Sequence, residues 1–207
     1  DLIICPEHDN LIGNNVIKTV GAIHYLSEKE ISKENNYLKI DKENKKIIAF
    51  IIGGPNKYYN YSEKEIDFLF NKIKSIFTRD KYKLVIIPSY RTTSDIIRKA
   101  SNSFGHDHMV IKEVDKKAYL SALSLAKYIC VTCDSTSMIS EAALTGKPIY
   151  VANILPKRKD VRFQNFRNLF RELNITRNLG EEIENWNYQK LDETNRVAKI
   201  IKEKIHS

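Results

Sequence analysis

No apolar run in the 207-residue chain approaches the roughly 18 residues of a membrane-spanning helix, and no signal-peptide pattern stands at its start. The expectation is a cytoplasmic chain, one that can lie against a membrane without crossing it. Cysteine is scarce: three residues, an odd number, exclude a disulfide framework. Cys130 and Cys133 spell C-V-T-C, but they fall at the end of a strand-like run, where residues three apart face opposite sides. A shared metal or an easy disulfide is therefore not expected. His106-Asp107-His108 offers two imidazoles in a polar stretch with no third ligand nearby, so it reads as a solvated turn. No metal site is expected. Arginine-rich blocks interleaved with aromatics are also missing, which sets sequence-reading nucleic-acid modules aside despite a formal net charge of +8. The lysines are spread along the chain beside many Asn and Ile residues, the usage of an AT-rich genome, although a phosphorylated ligand or a membrane surface also suits a basic protein.

Two phosphate-binding signatures are absent. There is no G-x-x-x-x-G-K-[ST] loop and no G-x-G-x-x-G after the first strand, so ATP hydrolysis and NAD chemistry lose ground.

What is present is a regular alternation beyond residue 46. The runs KIIAFIIGG (46–54), KLVIIP (83–88), HMVIKEV (108–114), KYICVT (127–132) and PIYVANI (148–154) read as strands. Between them lie helical patterns. Ser62 to Glu65 is a capping box ahead of Ile66, Leu69, Phe70, Ile73, Ile76 and Phe77, while Gly146 and Pro148 stop the helix that begins at D-S-T-S. A helix around Phe166 to Leu173 and another from about Asp192 follow. Strands that are apolar nearly throughout belong to a parallel sheet covered on both faces, and strand-helix alternation gives a doubly wound α/β domain. Residues 27–45 are charged and read as a connector. The chain opens on Asp1 inside a strand-like stretch, so a preceding N-terminal portion is expected.

Ligands of such a sheet bind beyond the carboxyl ends of its strands. Those ends read Gly53-Gly54-Pro55, Ser89-Tyr90-Arg91-Thr92 and Asp134-Ser135-Thr136-Ser137. A glycine pair permits close backbone approach, Arg91 can pair with an anion, and a Ser/Thr-rich helix start offers amides and hydroxyls to a phosphate. Each also has an ordinary role: the glycines can turn the chain, Asp134 or Ser135 can be a plain N-cap, and Arg91 and Glu141 can be surface groups.

Taken together, P-E-H-D (6–9), N-V-I-K-T-V-G-A-I-H (15–24), I-G-G-P-N-K (52–57), D-S-T-S-M-I-S-E-A-A-L-T-G-K-P-I-Y-V (134–151) and R-F-x-x-F-x-x-L (162–169) resemble the bacterial and plant mitochondrial-fission family. Its members have a glycosyltransferase-B-like organisation, and the 134–148 block is also similar to the donor-binding half of nucleotide-sugar glycosyltransferases. The resemblance implies that residues 1–45 are the end of an N-terminal domain plus connector, and residues 46–207 a Rossmann-like nucleotide-sugar-binding domain with C-terminal helices. It implies a nucleoside-diphosphate sugar as donor, UDP-linked as the first candidate, with no cofactor. It places Ser135, Ser137 and Met138 on the diphosphate, Glu141 on ribose hydroxyls, Gly53 and Gly54 where the ligand comes close, and Arg91 as a source of charge. Transfer of the sugar to an envelope or lipid-linked acceptor follows from the same comparison. The catalytic base is unknown, His8 and Asp9 being the adjacent His/carboxylate pair near a strand end. Relatives often carry a small residue where Cys133 stands. Two other functions stay open: a non-catalytic adaptor at a membrane surface, and a nucleotide-sugar epimerase.

Overall fold

The computed structural model describes residues 1–41, 44–180 and 182–206. Strand β1 (Ile3–Pro6), a single 3-10 turn (Glu7–Asp9) and β2 (Val16–Thr19) form a two-stranded parallel sheet, with Ile3 opposite Val16. Helix α1 (Glu28–Lys33) follows, then β3 (Lys46–Ile52), α2 (Glu63–Ile76), β4 (Tyr82–Pro88), α3 (Ser94–Phe104), β5 (Met109–Val110), α4 (Lys116–Leu125) and β6 (Tyr128–Thr132). Helix α5 (Thr136–Ala143), β7 (Ile149–Ala152), α6 (Val161–Glu172), β8 (Thr176–Asn178) and α7 (Glu193–His206) complete the chain. The six-stranded sheet runs β5-β4-β3-β6-β7-β8 with every pair parallel, the order of a doubly wound nucleotide-binding fold.

The central strands are continuous apolar runs because both of their faces are covered. Ile47 to Ile52 and Tyr128 to Thr132 are all buried, and Phe50, Phe70 and Phe104 meet edge to face at 6.4 and 5.1 Å between ring centres. Outer strands are short. Beyond Val110 the chain turns polar at Lys112 and Glu113, and the strand expected over 108–114 pairs with β4 only at Met109 and Val110.

The connector expected over 27–45 contains α1. Ser27 and Glu30 cap it reciprocally, and Ile31 is its buried anchor. Lys42 and Glu43 of that stretch lie outside the described residues. Ahead of α1, the segment from Val20 to His24 is clamped from two sides. The amide of Ala22 donates to Ser140 Oγ of α5 (2.9 Å), and those of Val20 and His24 donate to Glu193 Oε2 (2.8 Å) and Thr194 Oγ1 (3.2 Å) of α7. The first residues thus bear directly on the helix that carries the D-S-T-S motif. No helix among the described residues is long and apolar enough to cross a membrane.

Candidate functional site

Between β3 and β6 the sheet order reverses, since β4 and β5 lie to one side and β7 and β8 to the other. A crevice forms beyond the carboxyl ends of such a pair, where the flanking loops leave in opposite directions. Here the loops are Gly53-Gly54 after β3 and Cys133-Asp134-Ser135 after β6, with Ser89-Tyr90-Arg91 after β4 alongside.

Asp134 is the hub of this junction. Its side chain is fully buried, and four donors converge on it. Oδ1 accepts from the hydroxyls of Tyr61 (2.5 Å) and Thr132 (2.6 Å). Oδ2 accepts from Arg91 Nη2 (2.7 Å) and the Gly54 amide (3.3 Å). Arg91 also reaches the carbonyl oxygens of Gly54 (3.1 Å) and Asp134 (3.4 Å), so one guanidinium joins three strand-end loops. Tyr61 sits at φ 58°, a strained value for an aromatic residue, with its hydroxyl on this carboxylate.

The geometry gives Gly53 and Gly54 a reason other than a ligand. A Cβ at Gly53 would lie 2.2 Å from Asp134 Oδ2, and one at Gly54 would lie 1.8 Å from the Arg91 carbonyl oxygen. What approaches these glycines closely is the protein itself. Arg91 likewise spends its charge on Asp134.

At the start of α5, Ser135 is an N-cap: its Oγ accepts from the Met138 amide (3.3 Å). The amide expected at Met138 for a phosphate is therefore taken, and among the described residues the amides of the first helical turn without a protein acceptor are those of Thr136 and Ser137. They carry the positive end of the helix dipole. The Ser140 hydroxyl, one turn on, donates back to the Thr136 carbonyl and is not free for a ligand.

Met138 and Glu141, three residues apart on α5, share the wall of a 260 Å³ cleft with Tyr25, Ser89, Tyr90, Lys116 and Tyr119. Tyr119 donates to Glu141 Oε2 at 2.7 Å, which fixes the carboxylate and leaves Oε1 to other donors. Burial raises the Glu141 carboxyl above its ordinary range, opposed by the Tyr119 hydrogen bond and by nearby His24. The Tyr119 phenol is raised well above its usual value by burial and then by the Glu141 charge. Glu141 is thus a partly desolvated carboxylate aimed into a cleft, not a surface group. Two large aromatics on that cleft face solvent: Tyr90 is 93% exposed and Tyr25 64%, the latter with Lys116 Nζ 4.3 Å from its ring centre.

His8 and Asp9 are placed elsewhere. The His8 ring packs edge-on against Phe166 of α6 at 5.4 Å, and Asp9 is held by Arg162 at 2.7 and 2.8 Å. Burial lowers the His8 pKa, and neither residue lines the Glu141 cleft. Cys130 and Cys133 are buried free thiols, the Cys133 sulfur accepting from the Ile154 amide at 3.3 Å. His106 bonds to Asp107, while the His108 ring receives the Leu84 amide. Among the described residues no group of three His, Cys, Asp or Glu side chains is arranged to hold a metal.

Asp134, Thr136, Tyr119 and Tyr25 are the residues that reading the sequence underweighted. Asp134 sits in the D-S-T-S motif, but three of its four donors, from Gly54, Tyr61 and Arg91, come from distant positions, and the motif by itself reads as an N-cap.

Residues 1–205 match the family model described as mitochondrial fission ELM1. The chain is 30% identical over 204 residues to the uncharacterized protein RP120 of Rickettsia prowazekii (strain Madrid E), covering 95% of this chain and 57% of that protein. It is 24% identical over 203 residues to the mitochondrial fission protein ELM1 of Arabidopsis thaliana, covering 93% of this chain and 46% of that one. The chain spans about half the length of the curated relatives it matches. Among solved structures, it is similar to UDP-GlcNAc 2-epimerase from Neisseria meningitidis bound to UDP-GlcNAc, with a TM-score of 0.54, 15% identity, and coverage of 94% of this chain and 57% of that one. The heptosyltransferase II of E. coli gives a TM-score of 0.48 at 15% identity, covering 87% and 52%. At such identities the likeness is one of fold, that of nucleotide-sugar enzymes of the glycosyltransferase-B kind. The family match, in contrast, runs along nearly the whole sequence, and the chain belongs to the mitochondrial fission ELM1 family.

Proposed function

We propose that the crevice between β3 and β6 binds a nucleoside-diphosphate sugar, and that the protein is a glycosyltransferase-like enzyme passing the sugar to an envelope or lipid-linked acceptor. One observation carries the reading: the unpaired Thr136 and Ser137 amides stand on the same short helix as Glu141, whose carboxylate looks into the 260 Å³ cleft. In this arrangement the diphosphate meets the helix N-terminus, where amides and dipole favour an anion. Glu141 Oε1 accepts from ribose hydroxyls, and the base lies along the exposed Tyr25 or Tyr90 ring. Arg91 acts first as the counter-charge of Asp134 and contributes to the diphosphate only from its exposed side. Ser135 shapes the turn, and Met138 gives the cleft an apolar wall. A UDP-linked donor is the first to test, because the epimerase that shares the fold is bound to UDP-GlcNAc. The proposal includes no metal and no cofactor, and it assigns no catalytic base.

The test is calorimetric titration with UDP, UDP-sugars and other nucleoside diphosphates, repeated with Glu141→Ala. Losing a charge-assisted hydrogen bond costs about 1.5–3 kcal/mol, so affinity should fall about tenfold or more. Saturable binding that survives Glu141→Ala unchanged would remove the ribose role. Absence of binding by any nucleoside diphosphate would favour the adaptor reading, which has no use for unpaired amides beside a half-buried carboxylate.

A further inference from the structure

We propose that the groove between α2 and the end of β7 is a docking surface for an anionic phospholipid membrane. The groove has a volume of 490 Å³ and is floored by Leu69, Ala152, Ile154 and Leu179. Two apolar side chains stand out from its rim, Phe68 at 70% exposure and Leu155 at 76%. Single exposed apolar residues are ordinary, but these two come from separate elements and border one depression, which is the pattern of an interaction site.

Charge identifies the partner. Lys64 and Lys72 line the same groove, and Leu155 and Pro156 lead into the exposed run Lys157-Arg158-Lys159. Among the described residues Lys64, Lys72, Lys157 and Lys159 form no ion pair. Arg158 lies over the Tyr58 ring at 4.8 Å. The acidic residue of the lining, Glu65, is already engaged, accepting from the amide (2.8 Å) and hydroxyl (2.7 Å) of Ser62. The surface therefore combines protruding apolar groups with an excess of cations, Lys64, Lys72 and the 157–159 run against Glu65. A folded partner would have to supply a pocket for each protruding side chain. A bilayer interface takes Phe68 and Leu155 directly and sets lipid phosphates at the level of the lysines, whose long stems can follow the surface.

The surface adjoins the crevice. Ile154, in the groove floor, donates its amide to the Cys133 sulfur at 3.3 Å, one residue from Asp134. Docked through this groove, the chain would hold the strand-end crevice near the headgroups. This inference does not rest on nucleotide binding and stands or falls separately.

The experiment is flotation of the 207-residue chain with phosphatidylcholine vesicles containing increasing fractions of phosphatidylglycerol. Binding should rise with the anionic fraction, weaken with salt, and be weak on phosphatidylcholine alone. Lys157→Gln with Arg158→Gln and Lys159→Gln should lower vesicle affinity about a hundredfold, roughly fivefold per cation. Phe68→Ser with Leu155→Ser should lower it about tenfold. The control is Lys29→Gln with Lys33→Gln and Lys39→Gln, the same charge change on and beside α1, which should leave affinity within about twofold. Melting temperatures of all variants check folding, and if the Phe68/Leu155 pair melts early, the exposed-charge variants decide alone. Absence of binding at every anionic fraction, equal binding to neutral vesicles, or an equal loss in the control would each overturn the proposal.

Discussion

The guanidinium of Arg91 lies 2.7 Å from the buried carboxylate of Asp134, and the two glycines that follow β3 pack against this pair, Gly53 on the Asp134 carboxylate and Gly54 on the Arg91 backbone. Three strands are tied where the sheet order reverses, so the pair sets the shape of the crevice before any ligand arrives. Removing Arg91 leaves a buried charge held only by neutral donors. Breaking a buried pair from one side costs about 3–5 kcal/mol, and since the Arg91 side chain is 35% exposed, Arg91→Ala should cost about 2–3 kcal/mol in urea unfolding. Arg91→Lys should recover part of it, keeping the charge but not the fork that reaches the Gly54 carbonyl. Equal stability of all three proteins would show that Tyr61, Thr132 and the Gly54 amide satisfy Asp134 unaided.

The two glycines should not respond alike to alanine. At Gly53 the new methyl meets the Asp134 carboxylate at 2.2 Å, a side chain that can move at the cost of its hydrogen bonds, whereas at Gly54 it meets the Arg91 backbone carbonyl at 1.8 Å. Gly54→Ala should therefore lower the melting temperature more than Gly53→Ala, and both should exceed about 2 kcal/mol. Gly180→Ala, with nothing within 4 Å of the added atom, should stay within about 0.5 kcal/mol. The reverse ranking would mean that the carboxylate, not the backbone, is the immovable partner.

How much of this was legible follows the range of the interactions. Strands β3, β4 and β6 announce themselves because burial on both faces demands unbroken apolar runs, and α2 because Ser62 and Glu65 cap it locally. Strand β8 carries Thr-Arg-Asn and is a strand only because β7 lies beside it, so no periodicity marks it. Helix α1 was obscured by its charged face, although its capping box stood in the sequence. At the site, Ser135 to Glu141 could be placed from the motif, yet the roles divided differently. The Met138 amide is spent on the cap, and the glycines answer to Asp134 and Arg91, partners distant in sequence that spacing alone does not reveal. Tyr119 meets Glu141 from another helix, and only the fold brings them together.

A backbone amide can be deleted without touching a side chain that packs. Thr136 is the first residue of α5, where proline fits because its fixed φ suits the helix and its missing N–H has no intrahelical partner. Ser135 before it is extended, φ −133° and ψ 109°, as a residue preceding proline should be. Thr136→Pro should leave the melting temperature nearly unchanged while lowering nucleoside-diphosphate affinity about tenfold. Thr136→Val, which keeps the amide and loses the hydroxyl, should bind within about threefold of the parent. Full affinity in the proline variant would move the diphosphate away from this helix start.

Lys147 offers a pH test of the core behind the site. Its Nζ donates to the Leu123 and Ser124 carbonyls at 2.7 and 2.5 Å, capping the last turn of α4. Burial, with repulsion from Lys127 and Lys190, pushes its ammonium down to about 8 from the ordinary 10.5. Between those values the unfolded chain still carries a proton that the folded chain has released, so raising pH through about 8 favours the folded form. Below about 8 both forms are protonated and the cost of burying the charge is constant. Lys147→Met has no such titration. The stability of the parent relative to Lys147→Met should therefore climb as pH rises from about 7.5 to about 9.5, with the difference taken by urea unfolding at each pH so that tyrosines and other lysines cancel. A flat difference over this range would show that the folded ammonium titrates at or above its ordinary value, the two carbonyls offsetting the burial.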